Sequence, residues 1–350
     1  MYNIYNVYPI MATFLYNEKS LYKNNPHLLQ RKYHDADNPL FKRTFTIDEL
    51  PRAITPESPQ GIYRERKGEV KSTLHYGQRK LLMSEIDFLT LTETDTDTKD
   101  PTTVIYVGAA PSIHTPILSK MFPNHKFVLV DPFPFTIKET DNISILNAFF
   151  TDELAQEFAS IYKNNRVLLI SDVRSSDIAE DIQNVQKQQE IVTRDMTMQE
   201  NWHSILKPEY SMFKFRLPWD KGTTRYYDGE IRFQAWAPQT SSESRLIIKK
   251  NAKKRLYDNH LYESHMFFFN TVTRVCYYEH DVQANGLDHC YDCSCEVKIL
   301  QDYLVQYKRQ KKSTITPEQL GKMVDDITLF LSDGKRAYIH RKPDKKMYND

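Results

Sequence analysis

A doubly wound, mostly parallel α/β sheet is the fold that the sequence predicts, on three observations. Short apolar runs alternate with amphipathic stretches from Thr103 to Trp219, as when strands return through helices to one parallel sheet. The runs at 126–131 (KFVLVD) and 166–172 (RVLLISD) are apolar almost throughout and end in an acid. Such runs are buried on both faces, and ligands of open α/β sheets sit beyond their carboxyl ends. The first strand closes in Val107-Gly108-Ala109-Ala110-Pro111-Ser112, a small-residue turn that lets a ligand approach the backbone.

Taken in order, residues 1–68 read as an N-terminal extension, partly irregular, tyrosine-rich and punctuated by Pro26, Pro39, Pro51, Pro56 and Pro59. A helix is expected over Glu69–Leu91, where Leu74, Leu81, Leu82, Ile86 and Leu89 recur at helical spacing. Thr92–Thr103 is a polar loop. Strands are expected at Thr103–Ala110, Lys126–Asp131, Ile143–Phe150, Arg166–Asp172 and Ser211–Trp219. Helices are expected at Pro111–Met121 and Asp152–Tyr162, then a long one with Ile178, Ile182, Val185, Val192, Met196 and Ile205 on one face. Glu230–Trp236 and Ser244–Lys250 form a late, antiparallel pair, and Arg255–Arg274 reads as helical. The expected organisation is an extension at 1–68, a core at 69–275 and a C-terminal extension at 276–350.

Composition narrows the function. With 350 residues, 40% hydrophobic and 27% charged, the chain can bury a core, which excludes wholesale disorder. A net charge of +1 is neutral as to nucleic acid, but between Lys207 and Asp258 basic residues outnumber acidic ones about two to one, and a second basic excess runs from Lys308 to Lys346. The N-terminus lacks the basic and apolar regions of a signal peptide, and no run is long enough to span a membrane. Cys276, Cys290, Cys293 and Cys295 all lie late in the chain. Their spacing is not a standard zinc pattern, so free thiols in a reducing compartment are expected, with a zinc site on those four as the alternative.

About twenty residues after the small turn, Asp131 ends the second strand, where a ribose diol would sit. Turn and acid together are the layout of a nucleoside-binding, Rossmann-like sheet. GxGxxG, the mark of a dinucleotide pyrophosphate site, is missing. S-adenosylmethionine fits better than a dinucleotide; a purely structural turn is the bland alternative.

Seven stretches then carry a resemblance: YGQRKLLMSEIDFL (76–89), TVIYVGAAPSIH (103–114), VLVD (128–131), LLISDVRS (168–175), FKFRLPW (213–219), APQTSSESRLI (237–247) and YESHMFFFNTVTR (262–274). In this order and spacing the chain resembles the poxvirus-type cap-specific mRNA (nucleoside-2′-O-)methyltransferase family, which doubles as the small, regulatory subunit of the viral poly(A) polymerase. The resemblance covers roughly residues 70–275. It implies a Rossmann-like S-adenosylmethionine-dependent methyltransferase fold, S-adenosylmethionine as cofactor, and methyl transfer to the ribose 2′-hydroxyl of the first transcribed nucleotide of capped mRNA. It implies as partners capped mRNA, a poly(A) polymerase catalytic subunit and other transcription proteins. The location it implies is the cytoplasmic factory of a large DNA virus, and the virion.

The resemblance assigns Lys80, Asp172, Lys214 and Glu243 to catalysis. The chemistry agrees: a ribose hydroxyl is a weak nucleophile that must be deprotonated or polarised, and a lysine fixed by carboxylates can do either. It assigns Gln78, Tyr106, Gly108, Ser112, Asp131, Phe133, Phe150 and Asp172 to the cofactor. Ser112 stands where the family has glycine, which puts cofactor affinity in question. Cap and RNA fall to Trp219 and Tyr63, stacking on methylated guanine, with Asp220 and Glu263 as acceptors and Arg174, Arg216, Ser241 and Ser242 as further contacts. The basic excess after Lys207 would be an RNA-backbone track. Two other readings stand beside this one. One is a non-catalytic RNA-binding subunit of a poly(A) polymerase; the other is a ribosomal-RNA 2′-O-methyltransferase.

Overall fold

The computed structural model describes residues 38–63, 76–93, 102–175, 185–219, 221–238, 240–284 and 286–332. In chain order the first elements are β1 (Thr44–Thr46), β2 (Ala53–Ile54), α1 (Tyr76–Leu91), β3 (Thr102–Val107), α2 (Thr115–Met121), β4 (His125–Val130), β5 (Ile143–Leu146), α3 (Asp152–Ile161) and β6 (Val167–Ser171). After them come α4 (Val185–Leu206), β7 (Tyr210–Phe215), β8 (Thr223–Tyr227), β9 (Glu230–Arg232), β10 (Ser244–Lys249), β11 (Lys254–Asp258), α5 (Asn259–Thr271), β12 (Tyr277–Glu279), α6 (Tyr291–Gln306) and α7 (Pro317–Ser332). The chain divides into two units: Met1–Glu93, Gln234–Ser242 and Ser264–Asp350 in the first, Thr94–Phe233 and Glu243–Glu263 in the second.

The second unit is the expected α/β sheet. Its strands lie in the order β9-β10-β7-β6-β3-β4-β5. From β7 to β5 every pairing is parallel, and β10 runs antiparallel to both β7 and β9. All six residues of β3 are buried, as are the last four of β6, which is why these central strands read as unbroken apolar runs. The winding reverses between β3 and β6, the kind of point at which such sheets bind ligands.

Helix α3 starts where Thr151 accepts a hydrogen bond from the Leu154 amide at 3.2 Å, and it buries Ala155 and Phe158. On α4 the buried face is Ile191, Asp195, Met196, Gln199, Trp202, His203 and Leu206. Met196 belongs to the expected face, whereas Val192 and Ile205 are only half-buried; Ile178 and Ile182 lie outside the described residues. Polar side chains take the inward positions because each finds a partner: Asp195 the Ser175 amide, Gln199 the Ser171 hydroxyl, His203 the Ser211 hydroxyl.

Several boundaries differ from expectation: β3 ends at Val107 rather than Ala110, α2 begins at Thr115 rather than Pro111 and β9 ends at Arg232 rather than Trp236, and three further differences have local causes. The strand expected to reach Trp219 ends at Phe215, just ahead of Leu217-Pro218, where proline has no amide to give a ladder. The strand expected over Ile143–Phe150 ends at Leu146, where a turn sends the Ala148 amide to the Leu146 carbonyl. The helix expected over Arg255–Arg274 is first a strand. β11 pairs with β8 and buries only Tyr257, and α5 begins after Asp258, whose carboxylate accepts from the Leu261 amide at 2.9 Å.

The first unit holds α1, α6 and α7 and the parallel pair β1–β12. The part of the α1 prediction before Tyr76 lies outside the described residues. Two acids one helical turn apart on α6, Asp292 and Glu296, are 1% and 0% exposed. Asp292 receives the Arg274 guanidinium at 2.6 Å and the Trp236 amide at 3.1 Å. Glu296 receives Arg79 at 2.9 and 3.0 Å and the Trp236 indole at 2.9 Å. Buried charge is costly unless each oxygen is hydrogen-bonded; here α6 supplies acids, and the rest of the unit supplies matching donors.

Candidate active site

The carboxyl edge of the central strands collects the charged side chains. Asp172 follows β6 directly, and its amide donates to the Val107 carbonyl at 3.0 Å. Lys214 is the penultimate residue of β7. The antiparallel register sets it opposite Arg245 of β10, so the two side chains emerge on one face. Glu243 immediately precedes β10.

These residues form one ion network. The Lys214 Nζ lies 3.3 Å from Asp172 Oδ1 and 3.6 Å from Glu243 Oε2, and it donates to the Asp172 carbonyl at 3.5 Å. Arg245, 3% exposed at its side chain, reaches Asp172 Oδ1 at 2.7 Å and Glu243 Oε1 at 3.8 Å. Burial works against the Arg245 charge, but Asp172 and then Glu243 outweigh it and hold its pKa above the usual arginine range. Arg174 bonds Glu243 Oε2 at 2.9 Å from a largely exposed position. Three cations thus face two carboxylates. Arg245 was not among the residues singled out from sequence; its signal was its place two residues after Glu243, a spacing that returns to the same face of an extended chain.

The loop after β6 is set by α4. Asp195 accepts from the Ser175 amide at 3.1 Å, and Arg194 donates to the Ser175 carbonyl at 2.8 Å. Burial raises the Asp195 pKa despite those bonds. Gln199 bonds both the Ser171 hydroxyl and the Lys214 carbonyl at 3.3 Å, bridging the ends of β6 and β7. Sequence reasoning missed it, since a glutamine on a long helix carries no local sign of burial.

At the small turn, Gly108 has φ +77°. A Cβ there would lie 2.9 Å from the Asp172 carbonyl carbon and the Val173 amide nitrogen. Ser112 is fully buried with φ +59°, a conformation that favours glycine. Its hydroxyl turns back to donate to the Ala109 carbonyl at 2.6 Å. Asp131 accepts from the Ala110 amide at 3.0 Å and the Phe133 amide at 2.9 Å, so its carboxylate also shapes the turn. Tyr106 is buried within β3. Phe133 is 69% exposed beyond β4. Phe150 instead packs edge-on against Phe158 and Trp202 at 5.8 and 5.1 Å, while its neighbour Phe149 is 75% exposed.

Trp219 is 42% exposed. The Arg216 guanidinium lies 4.1 Å from its ring centroid, and its amide donates to Gln189 of α4 at 3.0 Å. Burial lowers the Arg216 pKa, and Arg174 adds to this. A groove of about 660 Å³ runs along α4 beside Pro218, lined among others by Gln186, Gln189 and Arg194. Glu263 is half-buried on α5, and its burial raises its pKa. Asp220 lies outside the described residues.

The remaining predicted residues belong to the first unit. Gln78 and Lys80 stand on α1, Lys80 buried. Tyr63 is half-exposed and edge-on to Phe267 at 5.5 Å. Ser241 accepts from Asn270 at 2.8 Å through its carbonyl, and Ser242 follows it. The four cysteines are buried in the same unit as free thiols.

A family model described as the poly(A) polymerase regulatory subunit matches residues 53–320. The cap-specific mRNA (nucleoside-2′-O-)-methyltransferase of fowlpox virus (strain NVSL) is 31% identical over 221 residues, which are 57% of this chain and 68% of that protein. Its namesake in myxoma virus (strain Lausanne) is 28% identical over 243 residues, 63% of this chain and 69% of that protein. Among solved structures, bluetongue virus VP4, described as a multifunctional RNA-capping production line, aligns at a TM-score of 0.40 and 14% identity over 69% of this chain and 40% of that chain; at that level the likeness carries no argument.

Proposed function

The chain belongs to the poly(A) polymerase regulatory subunit family, and we propose that it is a cap-specific mRNA 2′-O-methyltransferase that uses S-adenosylmethionine. The observation that carries this reading is the fixed lysine: Lys214 held between Asp172 and Glu243, with Arg245 opposite it, at the end of β7. Relatives matching over most of the chain carry the name of that activity.

The cofactor reading rests on the crevice where the strand order reverses. The ends of β3, β4 and β6 present Gly108, Asp131 and Asp172 there, with exposed Phe133 beyond β4, a layout suited to a nucleoside. S-adenosylmethionine would supply a sulfonium methyl for in-line displacement by the ribose oxygen. Lys214, flanked by two carboxylates within 4 Å, is favoured as an ammonium. It orients the 2′-hydroxyl and stabilises the alkoxide developing on its oxygen; the hydroxyl proton passes to solvent. Arg245 and Asp172 hold the lysine in place. Arg216 and Trp219 offer a stacked platform for a cationic base.

A second role follows from family membership: a regulatory partner of a poly(A) polymerase catalytic subunit. One experiment separates enzyme from binding module. Purified protein should transfer labelled methyl from S-adenosylmethionine to short capped RNA, and Lys214→Ala should lower the rate roughly a hundred- to a thousandfold, the loss of a principal electrostatic group. Transfer undiminished by that change would sink the lysine assignment. Failure of S-adenosylmethionine to raise the thermal midpoint would favour the non-catalytic subunit, because a ligand of the native state must stabilise it.

A further inference from the structure

In the first unit, Asp288, Cys290 and Cys293 place a carboxylate oxygen and two sulfurs all within 4.8 Å of one another. Their residues are 8%, 3% and 0% exposed. We propose that these three side chains hold a zinc ion.

The local fold explains why they meet. Cys290 is the N-cap of α6, and Cys293 is three residues on, on the same side of the first turn. Asp288 is tied to that end because its Oδ1 accepts the Cys290 amide at 2.8 Å. Gly286, at φ +73°, lets the chain turn back just before it. The other two cysteines are placed elsewhere. The Cys276 thiol donates to the Val272 and Leu40 carbonyls at 3.4 and 3.6 Å. Cys295 is two residues past Cys293, and a helix turns two residues through roughly 200°. The ligand set is therefore not the four-cysteine one that a count of thiols suggests, but two thiols and a carboxylate.

The donor chemistry fits. Thiolates with a hard oxygen suit zinc, at about 2.3 Å for sulfur and about 2.0 Å for oxygen. Tetrahedral ligation at those lengths asks for donor separations of roughly 3.3–3.8 Å, and the three donors already lie within 4.8 Å of one another. Binding releases one proton from each thiol to solvent and leaves the ion with its three ligands at net −1. The N-terminus of the 16-residue α6 favours that negative charge. His280 adjoins the group: its Nε2 bonds the Asp288 carbonyl at 3.0 Å. Its Nδ1 is buried with no hydrogen-bond partner among the described residues. A water completes the tetrahedron. The ion clamps the chain between β12 and α6, on the same first turn of α6 that carries the buried acid Asp292 and one turn ahead of Glu296.

The test uses the full chain purified from zinc-supplemented cells. Elemental analysis should find about one zinc per chain, and cobalt substitution should give the near-ultraviolet thiolate charge-transfer band. Cys290→Ser with Cys293→Ser should lower bound zinc at least tenfold and abolish the band; Cys276→Ser with Cys295→Ser should do neither. Should the first pair fail to fold, Asp288→Asn serves, and a chelator should lower the thermal midpoint of the wild-type chain but not of this variant. Less than a tenth of an equivalent in the wild-type chain, zinc retained by the Cys290/Cys293 pair variant, or an intramolecular disulfide between these cysteines in unreduced peptides would overturn the proposal.

Discussion

Gly108 ties the small-residue turn after β3 to the end of β6. The backbone there takes φ +77°, and an added Cβ would press on the main chain of Asp172 and Val173 at 2.9 Å. Neither atom is the end of a flexible side chain, so β3 and β6 would have to part. Gly108→Ala should cost the positive-φ penalty of about 1–2 kcal/mol and the contact strain besides. Urea unfolding should show a loss of at least about 2 kcal/mol, and transfer activity should fall with it, because the displaced atoms carry Asp172. An unfolding midpoint equal to wild type would show that the turn has more room than its geometry implies. Gly108 was legible as a close-approach glycine, but the sequence suggested a ligand as what comes close. The structure shows that the next strand's backbone does. Ser112 is the converse case: its positive φ gives a physical reason for glycine at that position, and its hydroxyl satisfies itself on Ala109.

Among the elements, α4 was the least legible. Its apolar residues suggested one stripe, yet its inward face carries Asp195, Gln199 and His203, which position the loop after β6, the end of β7 and the start of β7. Polar burial of this kind depends on partners distant in sequence, which periodicity does not register. His203 makes it measurable. Its Nδ1 meets the Ser211 hydroxyl at 2.8 Å and its Nε2 the Lys250 carbonyl at 3.3 Å. Nε2 therefore donates, Nδ1 accepts, and the ring is neutral. Burial lowers its pKa to about 4, against the single opposing bond to Lys250. In the unfolded chain the ring takes its proton near the ordinary value of about 6.5. Above that pH neither state binds the proton and stability is unaffected. Below it the unfolded state binds first, so stability falls as pH drops from about 6.5 towards 4, by roughly 3 kcal/mol in all. His125, also held near 4 by burial, adds in the same direction. Denaturant titrations between pH 7.5 and 4.5 should show this slope, and His203→Gln should remove about half of it. A slope unchanged in that variant would mean that the ring is not the titrating group.

Over the whole chain, net charge said little and its distribution seemed to say more, but the sheet divides that distribution. The parallel order, the reversal point and the late antiparallel strand followed from the runs themselves, since burial on both faces leaves an unmistakable pattern. The direction in which each cation points did not. The basic excess between Lys207 and Asp258 reads as one track. Lys214 lies at the end of β7 and Arg216 just past it, yet Lys249 pairs with Tyr210, at the opposite end of that strand. Five steps along β10 put Lys249 roughly 17 Å from Ser244, and Lys250 and Lys253 follow it, all exposed. Two cationic edges therefore stand where the sequence suggested one. A capped dinucleotide, placed at Trp219 and Lys214 as proposed, would be too short to reach the far edge. Replacing Lys249, Lys250 and Lys253 together by Gln should leave its affinity and salt dependence unchanged, while Arg174→Gln with Arg216→Gln should lower both. If a longer single strand wraps to the far edge, the triple variant should lose about 0.7 of log–log salt slope for each phosphate contact removed. Fluorescence anisotropy across a salt series, with a capped dinucleotide and a capped RNA long enough to span the sheet, separates the two cases. Loss of dinucleotide binding in the triple variant would contradict the separation of the two edges.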